Sequence, residues 1–172
     1  MQTVEKYIKD VIYGANDGII TTFAVVAGAS GAALSPSIII IIGLANLFAD
    51  GFSMAASNYL GNRSEHILAA RDNNAVKHIH QGNEFIPAGI TFAAFVSAGF
   101  LPIAPFLFLH GMQQNTLAFS VVATALALFI IGSARSIFTR RNVFLSGMEM
   151  LMVGGIAAFV AYLTGLFIGM LY

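Results

Sequence analysis

The chain has 172 residues, 58% of them hydrophobic and 9% charged, with a formal net charge of zero. Soluble domains carry about 25% charged residues, so this chain cannot cover itself in water, and a lipid bilayer is its natural solvent. The length allows one domain, the lack of a basic patch gives no reason to expect nucleic acid as a partner, and the absence of cysteine excludes disulfides and thiolate metal sites.

The first charges, in TVEKYIKD, read as a short interfacial helix over 3–10. Lys6 and Lys9 precede an apolar run that reaches Ala27-Gly28-Ala29, which looks like a signal peptide, but Asn16 and Asp17 interrupt the run and argue against cleavage. The short chain without a leader suggests a prokaryotic inner membrane. Five apolar segments follow, at about 11–33, 37–60, 85–109, 116–135 and 147–171, each matching the roughly 20 residues that span a bilayer. Pro87, Pro102 and Pro105 lie near the ends of the third. Between the second and third lies the one long polar stretch, read as a cytoplasmic hairpin over 61–84.

The charges fix a topology. Lys6 and Lys9 precede segment one, Arg63, Arg71 and Lys77 follow segment two, and Arg135, Arg140 and Arg141 follow segment four. With five spans these eight basic residues all fall on one side, which the positive-inside rule makes the cytoplasm. The expected fold is therefore an all-α polytopic membrane protein with its N-terminus inside and C-terminus outside. With no Trp, Phe and Tyr would supply any interfacial belt. Small residues at Ala24/Gly28, Ala27/Gly31, Ala158/Ala161, Gly165 and Gly169 allow close helix approach, either within one chain or between two. Five helices are few to enclose a path, which favours a homodimer.

A polar stripe inside segment two points to function. In GLANLFADGFSMAASNYL, Asn46, Asp50, Met54 and Asn58 recur every four residues and share one helix face. Asp17 in segment one lies about 10–14 Å deep, and the antiparallel second segment brings Asp50 and Met54 to similar depth. Two ionised carboxylates there repel, so a proton or a cation must compensate them. Competition between the two is the basis of a metal/proton exchanger. The alternative is that each Asp bonds backbone groups freed where Gly18 or Gly51 breaks its helix. Asn46 and Asn58 read equally as interhelical hydrogen bonders, and Met54 as packing.

Glu65, just past segment two, is counted with Asp17, Asp50, Met54 and Asn46 as a candidate metal ligand, and Asp72, His78, His80 and Glu84 of the hairpin are candidates for metal entry. Glu65 and Asp72 would share a face if the helix continued. A solvated amphipathic hairpin is the competing reading. In segment five, Glu149 and Met152 stand one turn apart at the inner mouth, where packing, with Glu149 paired to Arg140 or Arg141, competes with metal contact. No nucleophile elbow, P-loop, HExxH or dinucleotide fingerprint points to an enzyme. No cofactor is expected beyond Fe2+ or Mn2+ as transported substrate, which suit oxygen plus thioether ligands. A non-transporting membrane scaffold or partner subunit, or a transporter of another small cation, are the alternative functions.

YGANDGIITTFAVVAGASGA and GLANLFADGFSMAASNYLGNRSE resemble the first two helices of the vacuolar iron transporter family, and AYLTG in segment five extends the likeness. The resemblance implies a five-helix homodimer that moves ferrous iron, and sometimes manganese, out of the cytosol against protons. It implies that Asp17 and Met54 line the path. Iron-transporting relatives often carry Glu where this chain has Asn46; either Asp50 takes over that charge or the substrate differs. Plant and protozoan relatives also insert a long Glu-rich cytosolic region where this chain has only 61–84.

Overall fold

A computed structural model describes residues 2–71, 84–109, 115–139 and 141–171. Six helices are seen among them: α1 (Gln2–Gly31), α2 (Pro36–Arg71), α3 (Phe85–Gly99), α4 (Ala104–Phe108), α5 (Thr116–Thr139) and α6 (Val143–Leu171). Four are long and apolar enough to cross a membrane, over Tyr7–Gly31, Pro36–Ala69, Thr116–Ser136 and Val143–Leu171.

The third segment departs from the expected single helix over 85–109. It stops at Gly99 after 15 residues, about 22 Å, and resumes as α4 after a turn. Pro102 causes the break, because it lacks an N–H and its ring would strike the carbonyl four residues back. Around it the bonding tightens, with Leu101 N–H to Ala98 O at 3.1 Å and Ile103 N–H to Phe100 O at 3.1 Å. Non-helical backbone survives at membrane depth only where protein covers it. Here Ile103 is fully buried, and the buried Ser120 hydroxyl of α5 donates to Pro102 O at 2.6 Å.

α1 takes in the expected interfacial helix over 3–10 as one continuous helix and stops at Gly31, short of the expected 33, while α2, α5 and α6 exceed their expected bounds. α2 continues past residue 60 to Arg71, about 54 Å in all. The stretch GNRSEHILAAR has no proline and keeps strong helix formers. Its end therefore projects beyond an apolar core about 30 Å thick. α6 starts at Val143 because Asn142 caps it, its Oδ1 accepting from Phe144 N–H at 2.9 Å. α1 ends in a Schellman-type turn, with Leu34 N–H to Ala29 O and Ala33 N–H to Ser30 O, both 3.0 Å. The left-handed position is Ala33, at φ 54°, and Pro36 then starts α2 at its first turn.

α1 is the central and most enclosed helix. Gly14 and Gly18 lie against α3 at Thr91 and Phe95; a Cβ on Gly14 would stand 2.6 Å from Thr91 O, and one on Gly18 would overlap Phe95 O. Further along, Gly28, Gly31 and Ala32 meet Ala161, Tyr162, Gly165 and Gly169 of α6. The small residues read from the sequence thus pack helices within one chain. The pairings also give directions: α1, α3 and α6 run parallel, while α5 runs against α6, with Leu128 beside Gly154 and Gly132 beside Ser146 and Met150. α2 runs against α1. A buried cluster of Val26, Ala29, Ile39, Leu47, Phe95, Ile103 and Phe106 joins α1 to α4, and large apolar side chains such as Ile41, Phe48, Phe52 and Phe159 face outward, as a lipid-solvated bundle requires.

Candidate functional site

The α1–α2 interface carries the polar side chains. Asn58 fixes its register, its Nδ2 donating to Asp10 Oδ1 at 2.7 Å and to the buried Thr91 Oγ1 of α3 at 2.9 Å. Asn62 Nδ2 in turn donates to Asn58 Oδ1 at 2.6 Å. Asn58 is thus the interhelical hydrogen bonder among the two readings the sequence leaves open. About 11 Å further along both helices come Asp17 and Asp50. The same level follows from the turn that joins the helices, since each lies about 21 Å from it.

Both carboxylates are partly buried, at one level on the two helices. Asn46 Nδ2 donates to Asp50 Oδ2 at 2.8 Å, so Asn46 orients Asp50 from one turn away. Neither α1 nor α2 breaks at Gly18 or Gly51. The backbone carbonyl of Asp17 is inside an intact helix and accepts from Thr21 Oγ1 at 2.8 Å. Freed backbone groups therefore do not explain these acids. Gly18 serves close packing on α3 instead.

A cavity of about 460 Å3 leads toward the pair. Its walls include Lys9, Asp10 and Tyr13 of α1 and Met54, Asn58, Asn62 and Glu65 of α2. Tyr13 and Met54 are its deepest residues on the two helices. Asp17 lies one turn beyond the first and Asp50 one turn beyond the second, so the cavity floor sits just short of both acids. Met54 also touches the buried cluster and so has a packing role beside its place on the wall.

Asp10 and Thr91 belong to the site and were not singled out from sequence. Asp10 carried a readable signal, for it precedes Asp17 by two helical turns on one face. Thr91 carried none, because its role comes from the α3 packing.

The remaining candidates lie elsewhere. Glu65 is exposed on the cavity rim. Glu84 is bonded to His66 Nδ1 through Oε1 at 2.9 Å, tying the end of α2 to the start of α3. This hydrogen bond holds the Glu84 carboxyl below the usual glutamate range. Glu149 faces Arg135 at 3.8 Å, where Arg140 or Arg141 was expected; Arg140 lies outside the described residues, and Arg141 lines a separate cavity of about 300 Å3 with Glu149. Met152 is 65% exposed, one turn along α6 from the exposed Glu149. Asp72, His78 and His80 lie outside the described residues. Among the described residues no three His, Asp or Glu side chains converge within one chain.

Comparison with known proteins places these residues in a family. The sequence profile of the VIT family matches residues 8–81 and 66–166. The chain is 26% identical to vacuolar iron transporter 1 of Eucalyptus grandis over 93% of its length and 86% of that protein. It is 27% identical to vacuolar iron transporter 1 of Arabidopsis thaliana over 93% and 85%, and 26% identical to the vacuolar iron transporter of Plasmodium falciparum over 92% and 81%. The Eucalyptus alignment runs over 214 residues, so that relative carries residues this chain lacks. The two profile matches overlap over residues 66–81, from the last turns of α2 onward.

Proposed function

Because the chain belongs to the VIT family, we propose that it is a divalent metal transporter that carries Fe2+ or Mn2+ out of the cytosol in exchange for protons. The relatives are named vacuolar iron transporters, which supports metal ion transport. One observation of this chain carries the reading further: the open cavity, with a thioether on its wall, ends one turn short of two partly buried carboxylates that the helix register sets at one level. In a membrane that pair is not stable with two uncompensated charges. A divalent cation satisfies both at once; in its absence a proton satisfies one. Binding of one ligand therefore displaces the other, which is the coupling an exchanger needs.

The residues take distinct roles in this reading. Glu65 and Asp10 draw cations to the cavity mouth. Met54 offers sulfur, which favours Fe2+ and Mn2+ over the all-oxygen shells of Mg2+ and Ca2+. Asp17 and Asp50 take the dehydrated ion. Asn46 leaves the face with one carboxylate fewer than a Glu there would give, which lowers its charge while holding Asp50 in place.

The parallel run of α1, α3 and α6 supports five crossings, with α3 and α4 together forming the third around the Pro102 break. The N-terminus and all basic residues then lie in the cytoplasm. Two such chains, apposed through the outward face of α2 near Ala45, Ala49 and Ser53, would bring a second set of these ligands to the ion. The test is flux into proteoliposomes under an imposed pH gradient with a panel of divalent ions. Gradient-dependent Fe2+ or Mn2+ uptake is expected; absence of flux with every ion would leave the scaffold reading.

A further inference from the structure

Away from the metal face, α1 turns Asn16, Ile19 and Thr22 toward α5. Ile19 is fully buried against Ala127 and Leu128. On either side of that contact, Asn16 Oδ1, Thr22 Oγ1 and Thr124 Oγ1 are buried without a hydrogen-bond partner among the described residues, and Thr22 and Thr124 are 0% exposed.

The helix register brings the two hydroxyls together. Leu128 and Ile20 both reach Gly154, so they share a level, and α1 and α5 run in opposite directions. Outward from there come Thr22, two residues (about 3 Å) along α1, and Thr124, four residues (about 6 Å) along α5. Thr22 follows Gly14 and Gly18, which face α3, and lies between that face and the Ile19 face. Thr124 follows Ser120, whose hydroxyl holds Pro102 O at 2.6 Å, by one turn. Both hydroxyls thus point into the seam of α1, α3 and α5, level with the break in α3. There Ile103 N–H bonds Phe100 O rather than the Gly99 carbonyl that an unbroken helix would offer it.

We propose that this seam is a hydrated proton route, separate from the metal face of α1, with water held between Thr22 and Thr124 and the Ile19–Leu128 contact as its apolar gate. The inference rests on the proton-exchange reading above. Two fully buried hydroxyls without partners among the described residues are costly, and buried polar atoms of this kind are what internal water bonds. Water is the better occupant than a metal ion, because the seam offers only neutral oxygens: α3 has no ionisable residue, and α5 has none before Arg135. A threonine hydroxyl accepts a proton on its oxygen and releases its own to the next water, so nothing is consumed. Asn16, beside Asp17 in sequence, stands at the inner end of the column.

The test replaces both hydroxyls by methyl groups of the same shape, in a Thr22→Val/Thr124→Val variant, with Thr22→Ser/Thr124→Ser as the rescue. Three quantities are read: pH-gradient-driven Mn2+ flux, the thermal shift induced by Mn2+, and the unfolding midpoint without metal. The expected result is a loss of tenfold or more in gradient-driven flux for the Val pair, an unchanged Mn2+ shift, and flux recovered in the Ser pair. A lower metal-free midpoint in the Val pair is also expected, since water partners are lost. Equal gradient-driven flux in the Val pair and the wild type would overturn the proton route. A raised midpoint would show the hydroxyls to be dry and overturn the water site. Wild-type flux indifferent to the gradient would instead overturn the exchange reading, and this route with it.

Discussion

The bond between Asp10 and Asn58 decides whether Asp17 and Asp50 meet, and a double-mutant cycle measures it. Asp10→Ala, Asn58→Ala and the pair together isolate the coupling between the two side chains. The bond is short, 2.7 Å, and its acceptor is a carboxylate, which in water-soluble proteins is worth about 1.5–3 kcal/mol. Polar pairs between membrane helices average about 0.6 kcal/mol, because the unfolded reference also finds partners. The bond lies on the cavity wall, open to water, so the expected coupling falls between these, at about 1–2 kcal/mol. Asn58→Ala alone should cost more than Asp10→Ala, since it also releases Thr91 and Asn62. The assay is reversible unfolding in mixed micelles, with metal flux measured on the same variants. A coupling within the roughly 0.5 kcal/mol scatter of independent sites, together with normal flux, would refute the claim that this bond sets the register.

Asp17→Asn is expected to abolish metal flux while the protein still folds, because among the described residues the side-chain hydrogen bond at Asp17 engages its backbone carbonyl and not its carboxylate; undiminished flux would remove Asp17 from the mechanism. Met54→Ala should weaken Fe2+ or Mn2+ transport by more than its loss of stability explains, whereas transport equal to wild type would make Met54 packing alone. Ala33→Gly should stabilise the chain by about 0.5–1 kcal/mol, by relieving the left-handed strain at φ 54°; a lower unfolding midpoint would contradict this. Glu84 is held below its ordinary range by the His66 hydrogen bond, so the folded state binds its proton less tightly than the unfolded one. Its contribution is therefore present above the ordinary glutamate range and lost as pH falls through the lowered value. Glu84→Gln should flatten the acid limb of the stability profile, and an unchanged limb would show the pair to be idle.

Much of this site could be read from residue spacing. Asp50, Met54 and Asn58 recur at helical intervals in lipid-grade sequence, and the cost of burying them pointed to function before any coordinates. The small residues of the first and last segments announced close helix contacts, but composition alone could not tell a contact within one chain from one between two. The third segment was misread because its apolar run outlasts its helix: hydropathy is blind to the missing N–H of Pro102, and the Ser120 hydroxyl that makes the break tolerable lies on another helix. α2 outruns its apolar stretch because GNRSEHILAAR, although polar, has no proline and carries Arg, Glu, Leu and Ala, which keep it helical to Arg71. Asp10 was grouped with the interfacial charges, although its two-turn spacing to Asp17 was there to be counted. Ala33 gave no sign of its left-handed turn, which glycine usually announces.

The most direct measurement of the central claim is a Mn2+ titration of thermal stability in detergent, on the wild type, Asp17→Asn and Asp50→Asn. A native-state ligand stabilises in proportion to its concentration over its dissociation constant, by about 2.7 kcal/mol at a hundredfold excess. The account predicts that rise in the wild type and its loss in both variants. An equal rise in all three would place the metal elsewhere and contradict the account.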